Sequence, residues 1–116
     1  MQIITSITNS VNQKMQLVLE NNETVDFHLY YKPRMQSWYY DFTYKNLTCN
    51  GSKVVLSPNS IRQFRRILPF GFYIGAESFV EPYAQDDFSS GRIVFGVLNS
   101  DEVEQVEREI FNNVEI

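Results

Sequence analysis

The side chains that could do chemistry in this chain are few, and their spacing opposes most reactions. His28 is the single histidine and Cys49 the single cysteine. Structural zinc needs a larger set of nitrogen and sulfur ligands, and one thiol cannot close a disulfide within the chain. His28 falls on the polar side of an alternating stretch, where a surface or interface histidine is expected. Cys49 reads as a small apolar strand residue. Asp86-Asp87 with Ser89-Ser90-Gly91 offers paired carboxylates to a hard cation, but the shaped loop and closing Glu of an EF-hand are absent. The same residues make a turn, because Asp and Ser bond nearby backbone N–H groups and Gly91 adopts a conformation that other residues avoid. Glu77 and Glu81 have the residue types of a glycosidase acid and nucleophile. A chain with 14 acidic residues brings two carboxylates close in sequence by chance. Gly71, Gly75, Gly91 and Gly96 are scattered and form no phosphate-binding or dinucleotide fingerprint. No catalytic residue, metal site or cofactor is expected.

Binding is the better prospect. Arg62, Arg65 and Arg66 are the only dense basic cluster, and in a helical turn they share one side. They read as a solvated or salt-bridged surface, or as a contact for an acidic patch on a partner. A net charge of −4 without long blocks of one sign opposes a general nucleic-acid binder, which needs a basic field to neutralise phosphates. Hydrophobic and charged contents of 43% and 21% are ordinary, whereas an aromatic share of 15% is high. Rings favour both strands and interfaces. Phe79, Tyr83 and Phe88 lie in a long polar loop, and with the three arginines they make up the expected partner interface. An alternative is an OB-like module that stacks single-stranded nucleic acid or saccharide on Trp38 and the tyrosines, beside the arginines. Against it, the strand rings recur at the spacing of a core.

The elements that must position these groups follow from periodicity. Val25, Phe27, Leu29 and Tyr31 alternate with polar residues. After a connection through Pro33, Trp38, Tyr40, Phe42 and Tyr44 repeat the pattern, which predicts an antiparallel hairpin with one buried face. Strands are also expected at 2–7, around Met15–Leu19, at Lys53–Leu56, Phe70–Ser78 and Arg92–Leu98. Glu20–Glu23 and Asn50-Gly51 read as tight turns. A short helical turn is expected over Ile61–Ile67, with Ile61, Phe64 and Leu68 facing inward. A C-terminal helix capped by Asn99 or Ser100 carries an apolar stripe of Val103, Val106, Ile110 and Val114. The sum is a mainly β fold: a small antiparallel OB-like β-barrel or sandwich with a C-terminal α-helix. Residues 1–98 form the barrel domain, and 99–116 form a helix packed on it or on a neighbour. No run approaches the ~20 apolar residues of a membrane span and no leader-like segment opens the chain, so a soluble protein made in a reducing compartment is expected. Asn22-Glu23-Thr24, Asn46-Leu47-Thr48 and Asn50-Gly51-Ser52 are then turn residues rather than glycan acceptors.

Two segments together resemble small, plug-like baseplate proteins of contractile-tailed bacteriophages. The first holds Phe27, Leu29, Tyr31, Trp38 and Asp41, followed by Asn50-Gly51 and Val54–Leu56. The second runs through Ser57-Pro58-Asn59-Ser60-Ile61-Arg62-Gln63-Phe64, Leu68-Pro69-Phe70-Gly71, Glu81-Pro82, Asp86–Arg92 and Leu98. The resemblance implies an OB-like β-domain built into the virion near the tail tube or central hub, in multiple copies. Its partners would be other baseplate, hub or tail-tube proteins, with no cofactor, no catalytic residue and no membrane. The 79–92 loop and the C-terminal helix depart from compact members of that family.

Overall fold

The computed structural model describes residues 1–114, with side chains as far as Ile110. The side chain of Val114, expected on the helix stripe, and residues 115–116 lie outside the described residues. Among the described residues, seven strands form two antiparallel sheets. The larger sheet has the order β2-β3-β4-β5, from strands Asn12–Val18, Thr24–Lys32, Ser37–Tyr44 and Leu47–Lys53. The smaller has the order β1-β7-β6, from strands Gln2–Ile3, Ile93–Leu98 and Gly71–Ala76. No ladder joins the two among the described residues, so the barrel does not close and the sandwich form of the expected fold is the one adopted.

The aromatic hairpin β3–β4 supplies one wall of the core. Val25, Phe27, Leu29, Trp38, Tyr40, Phe42 and Tyr44 are buried, as their alternation demands. Phe70, Phe72 and Phe95 come from the other side. Phe72 meets Phe27, Tyr40 and Phe42 edge-on at 5.6, 5.7 and 5.4 Å. Edge-to-face rings match the positive rim of one to the negative face of the next, which adds to the area they bury. Trp38 is 0% exposed, touches Tyr31 and Phe88, and donates its indole N–H to the Ala84 carbonyl at 2.9 Å.

Three local expectations change. The first strand is only Gln2–Ile3, because beyond Ile4, whose N–H reaches the Phe95 carbonyl, the chain leaves the sheet. Asn50-Gly51 is not a turn. β5 runs through it as a bulge opposite the shifted register between Tyr40 and Phe42, with Gly51 at φ 72° and its N–H donated to Asp41 Oδ1 at 2.6 Å. The reversal falls instead at Lys45-Asn46, where Lys45 takes φ 52°. Lys53 therefore ends β5, and 54–56 form no strand of their own, although Val54 still bonds Trp38 across the sheet edge.

The short helical turn is a 3-10 turn at Arg62–Phe64. Buried Asn59 ties its start to β6, its Oδ1 accepting from the N–H groups of Ile61 and Phe72. The C-terminal helix α1 spans Ser100–Val114. Asn99 Oδ1 accepts from the Glu102 N–H at 2.9 Å while Glu102 Oε1 accepts from the Asn99 N–H at 3.0 Å, a reciprocal capping box. Val103 is buried, and Val106 and Ile110 are partly so. Asn99→Ala removes one half of the box and is expected to lower stability by about 1 kcal/mol, measured as a shift of the urea midpoint at unchanged slope.

Candidate partner interface

The loop between β6 and β7 is held by one buried carboxylate. Asp87, 2% exposed, accepts the N–H groups of Tyr83 and Ala84 on Oδ2 at 2.7 and 2.8 Å, and Arg92 Nε on Oδ1 at 2.8 Å. The rest of the Arg92 fork binds the carbonyls of Val80 and Glu81. Burial raises the Asp87 pKa, but Arg92 and the two amides outweigh it and hold the carboxyl below its ordinary value. Glu81 in turn accepts the Leu56 N–H, and Tyr31 and Trp38 bond the carbonyls of Tyr83 and Ala84. The loop is a braced platform. Asp86–Gly91 forms the expected turn, with Asp87, Ser89 and Ser90 bonding nearby backbone and Gly91 at φ 82°; Asp87 turns inward to Arg92 and Asp86 stays exposed.

This bracing separates the three loop rings. Phe79 is 95% exposed, beside half-exposed Val80, and Tyr83 is 53% exposed with the Arg92 guanidinium 4.8 Å from its ring. Phe88 does not belong with them. At 9% exposure it stacks edge-on against Trp38 at 5.3 Å and faces Phe95, so it is a core residue and no partner can reach it. The hydrogen bonds that Asp87 accepts hold its carboxylate inward, and the next side chain, Phe88, is buried beside it.

The arginine cluster also divides. Arg62 Nε reaches Glu107 Oε2 at 2.7 Å and Arg65 Nε lies 2.5 Å from Oε1, so two of the three fasten α1 to the 3-10 turn. Arg66 is exposed and makes no ion pair among the described residues, next to exposed Ile67. No hydrogen bond or ion pair joins the arginines to the loop rings among the described residues.

A second polar group lies on the outer face of the larger sheet, where the period-two pattern put it, but its mutual contacts were not foreseen. His28 Nδ1 is 3.1 Å from Asp41 Oδ2 and its Nε2 2.8 Å from Asn12 Oδ1. Tyr30 donates to Asp41 Oδ1, stacks on His28 and Tyr39, and Lys32 sits 4.5 Å over the Tyr39 ring. Burial raises the Asp41 pKa, yet the Gly51 N–H, His28 and Tyr30 together draw it below the usual carboxylate value. A His–Asp relay needs a nucleophile on the far ring nitrogen, and the Asn12 amide occupies that position. The rings here stack on each other, and Trp38, the strongest candidate for stacking a ligand, is inside the core. Among the described residues, no three His, Cys, Asp or Glu side chains gather as a metal cluster.

No curated protein matches the chain. The family described as "Cyanophage baseplate Pam3 plug gp18" matches residues 1–115, so both sheets, the braced loop and the helix all fall within the match. The resemblance carried by the hairpin and by Ser57–Arg92 thus extends over nearly the whole length: the chain belongs to the cyanophage Pam3 baseplate plug family.

Proposed function

We propose that this protein is a non-enzymatic structural component of a phage tail baseplate, seated near the tail tube or central hub, where it helps close or stabilise the baseplate before contraction. The observation that carries this reading is the family match over residues 1–115. The geometry is consistent with it: the polar groups that could have been catalytic are spent on bracing a loop, docking a helix and pinning a bulge. Its partners are other baseplate, hub or tail-tube proteins, it is present in several copies, and it is made in the host cytoplasm and resides in the virion. Membrane and nucleic acid play no part in this role. No helix among the described residues is long and apolar enough to cross a membrane. Mass spectrometry of purified virions with cryo-imaging of uncontracted tails tests the assignment. Density for this fold beside the tube or hub is expected, and its absence from intact particles overturns the reading.

Phe79, Tyr83 and Arg66 are the contacts we assign to neighbouring subunits. A phenylalanine held in water on a braced platform costs no ordering of the loop when it docks, which favours binding. Phe79→Ser with Tyr83→Ser, leaving Phe88 in place, is expected to change stability by no more than about 1 kcal/mol. The same double variant should reduce incorporation into particles at least tenfold, read by complementation and virion mass spectrometry. Normal incorporation removes these rings from the interface.

A further inference from the structure

A β-sandwich has exposed strand edges, and each is a template for another strand unless blunted. Three of the edges here are. The Ser57–Ser60 segment covers β6, with Ser57 exchanging both backbone bonds with Ile74 and the Ser60 N–H reaching the Phe72 carbonyl. The Asn50-Gly51 bulge breaks β5, and the Asp41 carboxylate already takes the Gly51 N–H. β1 has only two residues. β2 is different. It is seven residues long and pairs with β3 in unbroken register from Asn12 to Val18.

The backbone bonds that flank this ladder set its phase. Tyr31 donates to the Val11 carbonyl and Leu19 to the Glu23 carbonyl, so in β2 the odd residues bond β3 and the even ones point outward. Ser10 takes up the outward groups of Asn12. Those of Lys14, Gln16 and Val18 have no protein partner among the described residues.

We infer that β2 is a self-association edge: β2 of a second copy pairs with it antiparallel about a two-fold axis at Met15, joining the two larger sheets into one. The side chains select both occupant and register. Lys14 is the only charge on the strand, and centring on Met15 sets it opposite Gln16 of the second copy. Gln16 already bonds Asp26 through its amide at 3.1 Å, so each lysine lies two strands from the opposing Asp26 carboxylate, within reach of its long side chain. Centring on Lys14 would instead set like charges face to face, which is unfavourable. On the core side, Met15 is partly buried against the hydrophobic core, with the Ser6 hydroxyl 3.6 Å from its sulfur. The two-fold brings the two Met15 side chains together and extends the core across the join, a place that suits a flexible thioether. A strand pair alone buries less than a standard interface, so the free protein is a weak, concentration-dependent dimer. Repeated copies in an assembly would favour the contact by raising its effective concentration.

Cross-linking and sedimentation test this on the full chain, with Cys49→Ser removing the native thiol. Met15 occupies a non-hydrogen-bonded site of the proposed ladder, where the α-carbons approach to about 4.5 Å and a disulfide can close. Lys14 and its symmetry mate are offset along the strands beyond disulfide reach. Mild oxidation should therefore give a covalent dimer from Met15→Cys and little from the more exposed Lys14→Cys. Gln16→Pro removes an outward N–H and the Gln16–Asp26 side-chain bond but no backbone bond of the β2–β3 ladder, and should weaken the sedimentation dimer about tenfold or more with little change in circular dichroism. Three results overturn the inference. They are equal cross-linking of both cysteine variants, a monomer at all concentrations with no Met15→Cys dimer, and a dimer that Gln16→Pro does not weaken.

Discussion

Trp38→Ala is expected to be the most destabilising single change in this protein, at about 3–5 kcal/mol, or to leave no soluble protein at all. The indole is completely buried between Tyr31 and Phe88. Truncation forfeits its transfer energy and leaves a cavity that surrounding strands cannot collapse to fill. It also strands the Ala84 carbonyl, one of the bonds by which the 79–92 loop is tied to the hairpin. The loss should therefore appear twice. The denaturant midpoint falls, and proteolytic sensitivity appears within residues 79–92 before global unfolding. Trp38→Phe keeps most of the packing and separates the two effects, because it lacks only the N–H and part of the ring. A near-unchanged midpoint for Trp38→Ala would contradict the packing described here.

Asp87→Ala is the second. Its carboxylate is buried, paired with Arg92 and bonded to two backbone amides, so removal leaves a guanidinium and two N–H groups without their acceptor. Breaking a buried pair from one side costs about 3–5 kcal/mol. Because the Arg92 side chain is 24% exposed and water can take up part of its charge, the lower end of that range is expected. The acid dependence follows from linkage. The folded-state pKa of Asp87 is depressed, so its contribution is fully present above the unfolded value of about 3.9 and is lost as pH falls through the folded value. Stability should thus decline below about pH 4, and Asp87→Asn should decline less steeply over that window while starting lower at neutral pH. Asp41 and Glu23 are depressed too, so the Asn variant keeps part of the acid sensitivity. Identical pH profiles for wild type and Asp87→Asn, followed by thermal unfolding, would show that the ion pair does not brace the fold.

Whatever depended on alternation could be read from the residues in order. Side chains in a strand change face at every residue, so Val25 to Tyr44 named the buried rings, the hairpin and the polar outer face that carries His28, Tyr30 and Asp41. Capping chemistry is equally local: Asn99 and Ser100 both read as caps, and the structure uses Asn99, in a box with Glu102. The family likeness was legible because it rests on two segments, the hairpin residues from Phe27 to Asp41 and the stretch from Ser57 to Arg92, whose turn and loop residues alternation alone does not demand.

Choices between partners distant in sequence were settled by packing of the folded chain. Asn50-Gly51 has the local preference of a turn, but Asp41 across the ladder captures the Gly51 N–H and makes it a bulge. Arg62 and Arg65 cannot be told from Arg66 by spacing, since what distinguishes them is Glu107 on a helix 45 residues from Arg62. Phe79, Tyr83 and Phe88 are three rings in one loop. Their separation into two exposed and one buried depends on Asp87 meeting Arg92 and on the space beside Trp38 and Phe95. Local preferences of a kcal/mol or less fix which element forms, whereas burial of a ring or a charge is worth several and is settled only when both sheets are in place.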